Sequence, residues 1–225
     1  MSRLNLVAAV AFILGGSLFA LGAVFAQLEV GTLATVNITY LVGGCFFSLG
    51  GYASILLVVN ATRDEGRRGA EEPMRWWSYQ PQRRDWLSAV VLFIGTLLFA
   101  VSLLAAFAEG LTPRQSNGWI WMPDILGCVC FLVSGHLGML QVGAGHVEVR
   151  VHELAWWVVA TNQIGSILFF LAGIAAFTRP ATSNALDAGL VNWGTFAGAS
   201  CFALAGVIQV FDRPTSTRTV VQHTP

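Results

Sequence analysis

The chain has 225 residues, of which 55% are hydrophobic and 11% charged, with zero formal net charge and a mean hydropathy of +0.66. Ordinary soluble domains carry about 25% charged residues, so this composition excludes a soluble fold that hides its apolar surface. The arginines are scattered over loops and tails, which excludes a nucleic-acid footprint.

A helical apolar run of about 20 residues matches the ~30 Å hydrocarbon core of a bilayer, and the sequence holds six such runs. Lipid offers backbone groups no partners, so each run is expected to be one continuous helix. The expected fold is an all-α integral membrane protein, one membrane domain over 1–225, with six transmembrane helices in three tandem two-helix hairpins.

The first hairpin spans 3–61, with helices at about 4–26 and 38–60. Its Met-Ser-Arg start and Val24-Phe25-Ala26 end have the form of a signal peptide. The apolar stretch exceeds the ~7–15 residues of a signal h-region, so it reads as a retained helix. A polar loop follows over 62–85, where Pro73 and Pro81 bracket Trp76, Trp77 and Tyr79. Two prolines argue against one continuous helix there, and the aromatic cluster suits a headgroup layer. The second hairpin spans 86–145, with helices at about 86–108 and 123–142. Between them, Pro113 and Asn117-Gly118 read as turn signals. The connector from Gly145 to His152 alternates polar and apolar residues but is brief, and reads as a loop. The third hairpin spans 153–214, with helices at about 154–177 and 191–211, and the tail 215–225 reads as disordered.

The three hairpins share internal spacing. Gly15, Gly95 and Gly165 each precede a phenylalanine by four residues: Phe19, Phe99 and Phe169. On the second helix of each hairpin, Gly43-x3-Phe47-x3-Gly51 matches Gly127-x3-Phe131-x3-Gly135 and Gly198-x3-Phe202-x3-Gly206. Residues four apart drift only about 40° around a helix. Each Gly-Phe-Gly set is therefore one stripe, on which two small residues flank a ring and let a neighbouring helix approach. Trp86 and Trp156 also share a register.

The third hairpin, with Gln163-Ile-Gly-Ser-Ile-Leu-Phe-Phe170, an Asn192-Trp193 start to the last helix and an Arg213-Pro214 exit, resembles the YrhK-like family of small bacterial membrane domains. The first two hairpins depart from it, with Gly16 and Thr96 in place of Ser166 and no Arg-Pro exit. The resemblance implies a two-helix membrane unit, used singly or in tandem, in a bacterial plasma membrane. It brings no catalytic residues.

With six helices both termini share one side, which carries ten of the twelve arginines against Arg114 and Arg179 on the other. The positive-inside rule then predicts cytoplasmic termini. The 62–85 loop reads as a solvated connector with interfacial tryptophans.

Chemistry-bearing residues are few. No Asp, Glu or Arg falls deep within a predicted span, and Asp124 is expected at the interface, in the first turn of its helix. Intramembrane charges are the usual mark of ion-coupled transport. His136, Asn162 and Gln163 are expected at similar depth on neighbouring antiparallel helices, as a hydrogen-bonded polar cluster. His146, Glu148 and His152 lack any recognised ligand spacing, as does Cys128-x-Cys130. No catalytic, cofactor-binding or metal-binding residue is assigned. The leading expectation is a non-enzymatic polytopic membrane protein acting through helix association, with the lipid bilayer and either a second copy or another membrane protein as partners. The alternative is a small channel or transporter for a neutral or weakly ionic solute, using the His136 cluster.

Overall fold

The computed structural model describes residues 3–61 and 73–212. The expected disordered tail and residues 62–72 of the long loop lie outside the described residues. Six long helices carry the fold: α1 (Arg3–Gln27), α2 (Leu33–Val59), α3 (Arg84–Ala105), α4 (Met122–Val142), α5 (Leu154–Ala175) and α6 (Ala188–Phe211). Each is long and apolar enough to cross a membrane. No strand occurs among the described residues, beyond one isolated bridge from Thr178 to Ala185.

Local signals set the helix ends. The second helix begins five residues before the expected 38, because Thr32 caps it: its hydroxyl accepts from the Thr35 amide while the Thr35 hydroxyl accepts from the Thr32 amide. The sixth begins at Ala188, because the Asp187 carboxylate accepts from the Leu190 amide. The third and fifth stop short of the expected 108 and 177, at Ala105 and Ala175. Asn117-Gly118, expected as a turn, is helical. Pro113–Ser116 forms an α-turn capped by Thr112, and Asn117–Trp121 a π-turn that runs straight into α4. The Met122 amide bonds Asn117 across the π-turn. Pro123, with no N–H to offer, sits just beyond it, where the usual ladder is already broken.

The helices form a closed ring. Each packs on its two neighbours in chain order, and α6 returns to pack on α1. We call the end where α1 begins and α6 finishes the terminal end, and the opposite one the distal end.

Side chains fill the middle of the ring. Phe19, Phe47, Phe99, Phe131, Phe169 and Phe202, all 3–8% exposed, form one core cluster. Within each hairpin the two phenylalanines touch, at ring-centroid distances of 5.3 Å (Phe19–Phe47), 5.1 Å (Phe99–Phe131) and 5.3 Å (Phe169–Phe202). Across hairpins, Phe47, Phe131 and Phe202 lie 5.5–6.3 Å from one another, and Phe169 lies 6.1 Å from both Phe19 and Phe99. The rings thus lie in two layers of three.

Glycine makes the layers fit. A Cβ on Gly15 would fall 2.9 Å from the Phe47 ring, and one on Gly43 would fall 2.8 Å from Phe19. The same exchange links Gly95 to Phe131 and Gly127 to Phe99, at 2.8 and 2.9 Å. In the third hairpin Gly165 and Gly198 meet each other's backbone carbonyls at 2.9 Å, with Phe202 and Phe169 at 3.2 Å. The second glycine of each stripe faces the next hairpin. Gly51 meets Phe93, Gly135 meets Gln163, and Gly206 meets Ile13 and the Ala9 carbonyl. The exposure pattern of 12–20, 92–100 and 162–170 is the same residue by residue.

Polar side chains clasp the junctions at the distal end. Asn37 donates to the Ala106 carbonyl at 2.9 Å, joining α2 to the end of α3. Asn117 exchanges two bonds with the Thr178 backbone, at 2.8 and 2.9 Å, and Asn192 donates to Gln27 at 3.2 Å. At the terminal end Gln209 donates to Asn5 at 2.9 Å across the α6–α1 seam. There too the segment after residue 72 folds back. Asn60 exchanges bonds with the Arg75 backbone, and Trp77 and Tyr79 stand edge-on to buried Trp86.

Close approach at the glycines predicts a sharp contrast between two substitutions. Gly165→Leu drives a side chain into the Gly198 carbonyl and should lower stability by about 1–3 kcal/mol or more, the usual cost of overpacking. Gly118→Ala meets nothing within 4 Å and should be tolerated. Thermal melting in detergent, followed by circular dichroism, reads both.

Candidate functional site

Two cavities lie on either side of the phenylalanine layers. The distal one, a vestibule of about 250 Å³, is floored by Phe19, Phe99 and Phe169 and rimmed by Ser116, Thr178 and Val191. The inner one, about 100 Å³, is bounded by Phe131 and Phe202 and lies toward the terminal end. Between the layers remains a void of only about 10 Å³, at the lower limit for holding one water.

The vestibule wall carries Tyr40, Asp124 and Thr195. Each stands seven residues before the phenylalanine of its stripe, Phe47, Phe131 or Phe202. Two helical turns separate them from those rings, so all three point inward a level above the floor. Asp124 is half-buried, and its Oδ2 lies against the Gly173 backbone, 3.2 Å from where a Cβ would stand. It makes no ion pair or hydrogen bond with any described residue. Trp121 lines the same wall and donates from its indole Nε1 to the Gly173 carbonyl at 2.8 Å. The Cys128 thiol donates to the Phe169 carbonyl at 3.4 Å. All four cysteines are free thiols.

Asp124 stands in the first turn of α4, as expected. The turns from Pro113 to Trp121 run into that helix ahead of it, and its side chain lines the vestibule.

The inner cavity is lined on its polar side by Ser88, Ser134, Asn162 and Ser166. Ser88 and Ser134 each donate to the other's carbonyl at 2.9 Å, and the Ser166 hydroxyl donates to the Asn162 carbonyl at 2.9 Å. No hydrogen bond engages the Asn162 side-chain amide among the described residues.

The expected cluster of His136, Asn162 and Gln163 does not form. His136 is exposed on the outer face of α4 and bonds neither amide. Depth along the axis matched, but azimuth did not. The inward stripe of α4 at this level is Phe131, Ser134, Gly135 and Gly138, and His136 lies about 200° around the helix from Ser134. Gln163 instead packs on Gly135, and its carbonyl oxygen is buried with no donor. At the connector after α4, His146 and His152 are exposed, and Glu148 is held by Arg150 at 2.9 Å. The Gly-Phe-Gly residues of all three stripes face the bundle.

The vestibule residues were missed because no one of them carries a motif. The spacing to Phe47, Phe131 and Phe202 is the signal that relates them. No known protein family, curated protein or solved structure matches the chain.

Gln163 fills the position that Ile13 and Phe93 hold in the other hairpins, against the same glycine. Gln163→Met should therefore preserve or raise the melting temperature in detergent, because it removes an unpaired buried carbonyl worth about 1–3 kcal/mol. His136→Leu should stay within ~0.5 kcal/mol of the parent, as an exposed position without partners does.

Proposed function

We propose that this is a non-enzymatic protein of a bacterial plasma membrane, built from three tandem hairpin repeats, that passes a small solute through the centre of its helix ring. The observation that carries the reading is the pair of cavities lined on opposite sides of two layers of phenylalanine. A closed ring with a dry aromatic constriction has the form of a hydrophobic gate, which blocks water and solute until the rings part. Polar groups on both sides of the gate (Asp124, Tyr40 and Thr195 distally, Ser88, Asn162 and Ser166 within) offer a solute hydrogen bonds before and after it.

The repeat is supported by the shared Gly-Phe exchange and the matching exposure of 12–20, 92–100 and 162–170. Association with a partner through the glycine stripes has less support, because those glycines contact helices of the same chain. The arginine bias, ten against two, supports cytoplasmic termini, with the vestibule as the external cavity. Reporter fusions at Arg75, Ser116 and Asn184 should read inside, outside and outside. An outside signal at Arg75 would reverse the orientation.

The gate itself is tested by truncation. Proteoliposomes bearing Phe47→Ala or Phe131→Ala should take up small polar solutes severalfold faster than the parent in osmotic swelling, because one ring fewer wets the constriction. Monodisperse, folded variants with no more uptake than empty liposomes would sink the gate.

A further inference from the structure

We propose that the vestibule binds a small organic ammonium ion, with Asp124 as its counter-charge and the rings of Tyr40, Trp121 and the phenylalanine floor as its walls. This deepens the reading above by naming what would enter. Binding is measurable without any flux, so the two stand or fall separately.

Four observations carry it. First, among the described residues Asp124 is the one charged residue lining the vestibule, and no basic one lines it. An anion would meet repulsion with no counter-charge. Second, no described residue pairs with the Asp124 carboxylate. Charges within a membrane bundle face cavities or partners because exposure to lipid is costly. Here the cavity is what the carboxylate faces.

Third, five aromatic residues, Phe19, Tyr40, Phe99, Trp121 and Phe169, line the vestibule beside Asp124. Tyr40 packs on Phe19 at a ring-centroid distance of 5.3 Å, and Trp121 is fixed by its bond to Gly173. Rings of this kind attract cations through their faces, most strongly when the cation has left water. A hard metal cation instead asks for about six to eight oxygen ligands. The Thr178 carbonyl already accepts from Asn117, and no three His, Cys, Asp or Glu side chains among the described residues converge to hold a metal. An ammonium ion needs only one carboxylate, a hydroxyl or two, and apolar contact for its carbon body. The Thr195 and Ser102 hydroxyls line the cavity and can accept from an N–H. Fourth, about 250 Å³ is smaller than the ~300–1,000 Å³ of drug-sized sites, which restricts the ligand to a short amine.

The test uses the full chain in nanodiscs and two probes of nearly equal shape, phenethylammonium and neutral 2-phenylethanol, with binding measured by calorimetry. The parent should bind the ammonium at least ~10-fold more tightly than the alcohol, about 1.4 kcal/mol. Asp124→Asn should abolish that preference and leave alcohol binding unchanged. A parent that binds neither probe, a parent that binds both equally, or an Asp124→Asn chain that keeps the preference would each overturn the assignment. If Asp124→Asn fails to fold, Tyr40 decides. Tyr40→Leu should weaken the ammonium while Tyr40→Phe retains it, and equal binding by both overturns the aromatic wall. Ammonium selectivity without flux through the Phe47→Ala chain would sink only the gate. Flux without selectivity would sink only this site.

Discussion

The fold depends on glycine standing opposite phenylalanine. Six rings can share the middle of a six-helix ring only if the backbones around them come close. Every other side chain at Gly15, Gly43, Gly95, Gly127, Gly165 or Gly198 would occupy space now held by a ring or a carbonyl. For helices long and apolar enough to cross a membrane, lipid would give little hydrophobic drive between neighbours, which leaves this van der Waals fit to hold them together. Edge-to-face and offset ring pairs add about 0.5–1.5 kcal/mol each. The outward faces, by contrast, are Leu, Val and Ile: Leu14, Ile94 and Ile164 occupy one register in three hairpins and are all exposed.

The same packing that closes the ring divides it. Two aromatic layers leave no continuous path, only a vestibule on one side and a smaller polar cavity on the other. The Gly-Phe spacing and the exposure pattern recur three times, but the side chains at corresponding positions differ. Tyr40, Asp124 and Thr195 share a register, as do Phe12, Leu92 and Asn162. A shared frame holds these positions inward, and departure from the shared residue gives each cavity its chemistry.

The π-turn before α4 has a specific effect on that frame. Asn37 and Asn192 stand ten residues before their phenylalanines, and Trp121 holds the same register before Phe131. The second hairpin splits the clasp. Trp121 bonds α5 directly, and Asn117, one turn earlier, holds the Thr178 backbone. The turn leads into α4 just before Asp124, which lines the vestibule from the first turn of that helix.

Much of this was legible in the chain. Six long apolar runs dictate six helices, because lipid-length segments must satisfy their own backbones. The four-residue spacing of Gly and Phe marks the stripes, because helical periodicity is local. Helix ends were read less well, since Thr32 and Asp187 begin helices through side-chain bonds that hydropathy does not register. The pairing of residues on different helices was beyond the sequence. His136 and Asn162 agree in depth, yet one faces out and the other in. Depth follows from counting residues along a helix, whereas azimuth follows from which stripe each helix turns toward its neighbours. Only the closed ring fixed that, and so only the tertiary structure decided that the inward-facing acid is Asp124.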